Sequence, residues 1–261
     1  MNKLLIIGDS FADPGPRQFH PSPSWTTILE KESGYQVVNK ARGGSGLYYA
    51  IKCFNDLQEN FDKILLTATN PGRIYVPILG SKFTNQDHSI HHHTQNTFYN
   101  EVWKQELDKS DKDYIIGLKT LDAISAYYAY VYNFEEQRYY HKLMLDDLKR
   151  RRPDIIFVPA LFPALPNQTN PVCLNDISEM ELKHYGLTYE HINGFDLRTD
   201  IRRCHMSVEN NRILAEKAKG WLKGDPVQID VNDFKKPTEP IDVYFPSRKV
   251  WTANLNTANL D

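Results

Sequence analysis

Five residues spread along the chain together contain the groups that acyl transfer requires. They are Ser10, the adjacent pair Gly43 and Gly44, Asn70 and His205. A serine nucleophile needs a base such as histidine to accept its proton, and the tetrahedral oxyanion needs hydrogen-bond donors aimed at it. A glycine turn offers an unobstructed backbone N–H, and an asparagine side chain offers an NH₂ group. These residue types therefore favour nucleophilic chemistry at a carbonyl carbon.

Each of these positions follows a predicted strand or precedes a predicted helix. Ser10 follows the continuous apolar run at 4–7, and the glycine pair follows a strand pattern at 35–41. Asn70 lies at the end of a third strand pattern at 62–72, and His205 lies at the start of a helix pattern over 205–224. A fourth strand pattern covers 154–163, and helix patterns alternate with the strands. Alternation of this kind predicts βαβ units and a mainly parallel sheet. Ligands of such sheets bind at the carboxyl ends of the strands, so the sheet should gather these residues.

Four sequence blocks resemble those of the SGNH (GDSL-like) hydrolases. The blocks are GDSF at 8–11, NKARGGSG at 39–46, TATNPG at 67–72 and CHMSVENNRILAEKA at 204–218. The resemblance implies a flavodoxin-like three-layer α/β/α sandwich. It also implies that Ser10 is the nucleophile and His205 the base. The oxyanion hole would consist of the N–H groups of Ser10 and Gly44 and the amide of Asn70, and no cofactor would be needed. The third block departs from the family pattern, because Pro71 stands where an aspartate is usual.

The block that contains the histidine also departs from the family pattern, at the carboxylate that should orient the imidazole. The family usually places an aspartate three residues before the histidine, where this chain has Arg202. A guanidinium only donates hydrogen bonds, so it cannot accept one from the imidazole. Asp200 is the nearest acid and is predicted to be the third catalytic residue. Asp196, or a dyad with a backbone carbonyl, is the alternative.

Composition excludes several other classes of protein. The chain has 261 residues, a net charge of −2 and three widely spaced cysteines. Near-neutral charge argues against a nucleic-acid partner, and the cysteines form neither a disulfide framework nor a zinc pattern. We expect no membrane span, and the lack of a signal-peptide pattern predicts a cytoplasmic or non-classically released protein, with a virion component as a further location.

Residues 73–112 interrupt the alternation of strands and helices and predict an inserted loop or lid. The run His91–His93 lies there, but consecutive residues of an extended chain point in alternating directions, so no metal site is predicted. Substrate contacts are predicted for Tyr75 and Trp103 on the insert and for His20 in the proline-rich loop after Ser10.

The predicted organisation is one hydrolase domain over 1–224 and a proline-containing tail over 225–261. A helical region is expected from about 114 to 150, and a short strand is expected at 227–231 in the tail. The favoured activity is hydrolysis of a small-molecule or glycan ester, such as a short-chain or carbohydrate O-acetyl ester. Two alternatives remain: an acyltransferase that uses the same residues, and a non-catalytic glycan-binding or virion-type module with the same fold.

Overall fold

A computed structural model describes most of the chain. The residues described are 1–14, 23–43, 45–76, 88–90, 123, 126–127, 130–161, 163, 165–166, 171–184, 206–236, 241–244 and 250–253. Among these residues no helix is long and apolar enough to cross a membrane.

The described elements follow the predicted alternation of strands and helices. In chain order they are β1 (Lys3–Ile7), α1 (Trp25–Glu32), β2 (Gln36–Asn39), α2 (Leu47–Leu57), β3 (Lys63–Ala68), β4 (Ile74–Val76), β5 (His88–Ile90), α3 (Phe134–Arg151), β6 (Ile156–Pro159), α4 (Leu174–His184), α5 (Val208–Lys223), β7 (Ile241–Tyr244) and β8 (Val250–Ala253). Short 3₁₀ turns occupy Gln58–Asn60 and Val231–Asp233.

The central sheet is parallel and has the strand order β2-β1-β3-β6. Leu5 of β1 pairs with Val38 of β2 on one side and with Ile64 of β3 on the other. All four apolar residues of β1 are fully buried, as expected for a strand covered on both faces. The carboxyl ends of β1, β2 and β3 therefore lie side by side at one edge of the sheet.

Alternate residues of β1 point into two separate cores, one on each face of the sheet. Leu4 and Ile6 pack with residues of α1, α4 and α5, whereas Leu5 and Ile7 pack with residues of α2 and α3. Successive side chains of a strand point to opposite faces, which explains this division. The predicted flavodoxin-like three-layer α/β/α sandwich is confirmed.

Side-chain caps set the starts of three helices. Ser24 accepts from the Thr27 N–H and Ser207 from the Asn210 N–H, so α1 and α5 each begin directly after a serine cap. Asn133 caps α3 in the same way, by accepting from the N–H groups of residues 135 and 136. The predicted helical region of 114–150 is therefore interrupted just before Phe134.

Two pairs of strands form at positions where none was expected, and the strand predicted at 227–231 in the tail is absent. Residues 227–230 form no strand; instead Val227 and Ile229 lie against the α1–α5 core, where Phe234 is buried. The prediction at 227–231 was wrong because apolar residues there pack on the core instead of pairing in a ladder. Antiparallel pairs β4–β5 and β7–β8 lie within the predicted insert and the predicted tail.

Candidate active site

Gly8 ends β1 in a conformation that favours glycine. Its φ is +137°, and a Cβ on it would lie 1.9 Å from Oγ1 of Thr67. Its carbonyl accepts from the Arg42 N–H at 3.0 Å and from the Ser45 hydroxyl at 2.8 Å. The end of β1, the end of β3 and the turn after β2 therefore meet at Gly8, two residues before Ser10.

Ser10 lies in a tight turn and is partly exposed. The carbonyl of Asp9 accepts from the N–H groups three and four residues later, both at 3.1 Å. The indole N–H of Trp25 donates to the carbonyl of Phe11 at 2.6 Å, so α1 holds the segment that follows the serine. This anchoring holds the turn that carries Ser10 at the carboxyl ends of the strands.

The glycine turn after β2 lies beside the serine. A Cβ on Gly43 would lie 3.9 Å from the Cβ of Ser10. The N–H of Gly43 donates to Oδ2 of Asp13 at 2.6 Å, which ties this turn to the loop after Ser10. Gly44, the predicted oxyanion donor, is the next residue and lies outside the described residues.

Asn70 follows β3, and one of its hydrogen bonds determines how its amide is oriented. Its Oδ1 accepts from the Gly72 N–H at 2.7 Å, and only an oxygen can accept there. The NH₂ group is therefore the opposite end of the amide, which is the end an oxyanion would need. A Cβ at Gly72 would lie 3.1 Å from this Oδ1 and 2.8 Å from the hydroxyl of Tyr132, so this position requires a close backbone approach.

A largely buried ion pair joins the loop after β1 to the loop after β3. The side chain of Asp9 is fully buried and its Oδ2 lies 3.3 Å from Nη1 of Arg73, whose side chain is 14% exposed. The other oxygen of Asp9 accepts from the Phe11 N–H at 3.1 Å and from the Thr67 hydroxyl at 3.3 Å. Asp9 therefore bonds the loop amides and the neighbouring strand.

The start of α5, directly after the predicted base, is held from two sides. The carboxylate of Glu181, on α4, accepts from the Ser207 N–H at 2.9 and 2.8 Å. Asn211 donates to the carbonyl of the buried Met206 at 2.7 Å and accepts from the Trp25 N–H at 2.8 Å. α1 thus connects the start of α5 to the loop that carries the serine.

A buried histidine on α3 lies near the residue before Asn70. His141 is 2% exposed, and burial lowers its pKa to about 4, although the nearby Thr69 backbone acts in the opposite direction. Within the described part of the chain, neither ring nitrogen of His141 has a hydrogen-bond partner of normal geometry, and the same holds for the hydroxyl of Thr69. The imidazole is therefore neutral at pH 7.

Five predicted site residues lie outside the described residues: His20, Gly44, Trp103, Asp200 and His205. Their roles remain predictions. Tyr75 lies on β4, where it pairs with Ser89 of β5, and β4 begins four residues after Asn70.

Sequence reasoning missed two residues at this edge of the sheet. Arg73 directly follows the turn at Asn70. Its charge, at a position just after a strand end, was the only sequence feature that could have assigned it to the site. His141 shares a helix face with the buried Leu145 and Leu148, and a lone histidine on an apolar face is a signal for a buried imidazole.

The described groups suit one kind of chemistry. A hydroxyl lies at the end of β1, beside a glycine turn, and a side-chain amide donor follows the adjacent β3. A hydroxyl near a side-chain amide donor is part of the arrangement that acyl transfer uses.

Comparison with known proteins gives similarity to solved structures at low sequence identity. No protein-family model and no curated protein sequence matches the chain. A protein from Desulfitobacterium hafniense DCB-2, assigned to the G-D-S-L family of lipolytic proteins, matches with 12% identity and a TM-score of 0.33 over 85% of this chain and 99% of its own. The acetyl xylan esterase AlAXEase matches with 13% identity and a TM-score of 0.31 over 85% of this chain and 100% of its own. The chain itself is an α/β protein with a flavodoxin-like parallel sheet, whose first three strands end at the candidate site.

Proposed function

We propose that the chain is a serine esterase that acts like the SGNH hydrolases, with Ser10 as nucleophile and His205 as base. The observation that carries the proposal is the meeting of three loops at one sheet edge. Ser10 lies beside the Gly43 backbone, and the amide of Asn70 is oriented by the Gly72 N–H. These loops also carry the first three sequence blocks.

The proposed reaction has two halves and uses no cofactor. His205 accepts the proton of the Ser10 hydroxyl while its oxygen attacks the ester carbonyl. The N–H groups of Ser10 and Gly44 and the NH₂ group of Asn70 hold the oxyanion. Collapse of this intermediate breaks the ester bond, and the leaving alcohol takes the proton from His205. Water, deprotonated by the same histidine, then hydrolyses the acyl-enzyme and regenerates Ser10.

Asp200 is proposed to orient His205 and to stabilise the imidazolium that forms. An imidazole that accepts a proton at one nitrogen is held in the required tautomer by a hydrogen-bond acceptor at the other. Asp200 is the acid nearest to His205 in the sequence, and Asp196 is the alternative.

The proposed substrate is a small-molecule or glycan ester with a short acyl group, such as an acetyl group. Tyr75 and Trp103, on the segment that follows Asn70, and His20, after Ser10, are the proposed substrate contacts. Support for this choice comes from the open, aromatic character of these loops in the sequence. The similarity to the acetyl xylan esterase AlAXEase is too low to support this choice of substrate.

Hydrolysis of an aryl acetate tests the proposal. The wild-type protein should release the phenol, and Ser10→Ala should not, while its circular dichroism stays unchanged. Ser33→Ala, which changes a serine at the end of α1, is the matched control and should retain activity. Wild-type turnover by Ser10→Ala would contradict the proposal. Product released mainly as an ester of an added alcohol would instead indicate an acyltransferase.

A further inference from the structure

One arginine, Arg73, connects all three loops of the candidate site. The backbone of Arg73 belongs to the loop after β3, where its N–H donates to the carbonyl of Asn70 at 3.1 Å. Its Nη1 donates to Oδ2 of Asp9 at 3.3 Å and to the carbonyl of Ser45 at 3.1 Å. Asp9 immediately precedes Ser10, and residue 45 ends the glycine turn after β2.

Each of the two groups that the guanidinium contacts belongs to a residue that makes a further hydrogen bond of its own. The second oxygen of Asp9 binds the Phe11 N–H, so the carboxylate spans the turn around Ser10. Ser45 is fully buried, and its hydroxyl donates to the carbonyl of Gly8 at 2.8 Å. A shift of the Arg73 side chain would therefore be transmitted to the backbone on both sides of the serine and at the end of the glycine turn.

We propose that Arg73 is a positioning residue that keeps Ser10, the turn at Gly43 and Asn70 in register for catalysis. The inference rests on the proposed esterase function. Oxyanion donors act only when they are preorganised, and a misplacement of about 1 Å can cost about 10²-fold in rate. A guanidinium suits this role because its planar group carries five N–H donors in a fixed geometry, whereas a lysine offers a single ammonium on a flexible stem.

A purely structural role for Arg73 makes a different prediction. Buried ion pairs are weak stabilisers, but removal of one partner is costly, so any loss of Arg73 could lower stability. Arg152 provides the matched control. Its Nε donates to Asp154 at 2.8 Å, and its Nη1 and Nη2 donate to the carbonyls of Gln58 and Phe61 at 2.9 and 2.8 Å. It makes the same types of bond as Arg73, but at the opposite edge of the sheet, before β3 and β6 begin.

The experiment compares Arg73→Met, Arg73→Lys and Arg152→Met with the wild type. For each protein we would measure kcat and KM with an aryl acetate, the rate of labelling by a fluorophosphonate, and the urea midpoint. Arg73→Met should lower kcat and the labelling rate by about 10²-fold, with KM changed by less than about threefold. Arg73→Lys should recover about tenfold of this loss. Arg152→Met should lower the urea midpoint and leave kcat within about twofold of wild type.

The outcomes separate the inference from the function on which it rests. A wild type that hydrolyses the ester, with Arg73→Met equally active, overturns the inference alone. Equal losses of kcat in Arg73→Met and Arg152→Met also overturn it, because they indicate general destabilisation. A wild type that neither hydrolyses the ester nor labels overturns both the proposed function and the inference. If Arg73→Met does not fold, the lysine variant decides: wild-type kcat overturns the inference, and a tenfold lower kcat with a near-native urea midpoint supports it.

Discussion

Replacement of His141 by leucine should make the protein less sensitive to acid. His141 is 2% exposed on α3, and burial lowers its pKa from 6.5 to about 4. The unfolded chain therefore binds a proton at this residue more readily than the folded chain does. This contribution to stability is fully present above pH 6.5 and is lost as the pH falls from 6.5 towards 4.

The size of the effect follows from the two pKa values of 6.5 and about 4. A shift of one pKa unit corresponds to about 1.4 kcal/mol, so the whole transition corresponds to about 3 kcal/mol. Between pH 7 and pH 5 the wild type should lose about 2 kcal/mol of unfolding free energy through this residue. Leucine cannot bind a proton, so His141→Leu should lack this part of the loss. It also removes two buried nitrogens that have no partner among the described residues, so we expect little or no loss of stability at pH 7.

Urea unfolding at pH 7 and pH 5, followed by circular dichroism, measures both quantities. Comparison of variant with wild type cancels the contributions of other titrating groups. Thr69→Val is the matched control, because it removes a second buried polar atom without a charge change and should shift stability equally at both pH values. If His141→Leu loses as much stability between pH 7 and pH 5 as the wild type does, His141 is not a buried neutral imidazole and the reasoning fails.

Three further substitutions test the site and its scaffold. Asn70→Ala should slow fluorophosphonate labelling by about 10²–10³-fold, since one oxyanion donor contributes about 2.7–4 kcal/mol; a wild-type labelling rate would remove Asn70 from the oxyanion hole. Gly8→Ala should destabilise the fold far more than Gly34→Ala in urea melts, because both have positive φ but only Gly8 has Thr67 Oγ1 at 1.9 Å from a Cβ. Asp200→Asn should lower kcat more than tenfold and Asp196→Asn should not; equal activity of both variants with wild type would favour a dyad.

The layers of the fold could be predicted because the sequence pattern reflects burial directly. Four consecutive apolar residues in β1 indicate a strand covered on both faces, and the structure buries all four. The starts of α1 and α5 are also local features, because Ser24 and Ser207 accept from N–H groups only three residues later in the chain.

The failures arose where structure depends on contacts between distant residues. Val227 and Ile229 resemble a strand in sequence, but the α1–α5 core provides an apolar surface for them, which no local pattern encodes. The break before α3 is a failure of a different kind, because the Asn133 cap acts only on the N–H groups of residues 135 and 136 and was overlooked within the predicted helical region.

The candidate site shows the same division. Ser10 and Asn70 could be placed from the sequence, because each directly follows a strand whose end the apolar pattern marks. Arg73 could not be assigned to the site, since its partners Asp9 and Ser45 are 64 and 28 residues away in the chain. Only the parallel pairing of β1 with both β2 and β3 brings them together.

The most direct test of the central claim is mass spectrometry of the protein after reaction with a fluorophosphonate. An activated serine reacts with this reagent, whereas an ordinary serine hydroxyl does not. The account predicts one adduct per chain, located by peptide mapping on Ser10 and absent from Ser10→Ala. No adduct on the folded wild-type protein, or an adduct on a different serine, would contradict the assignment of Ser10 as the nucleophile.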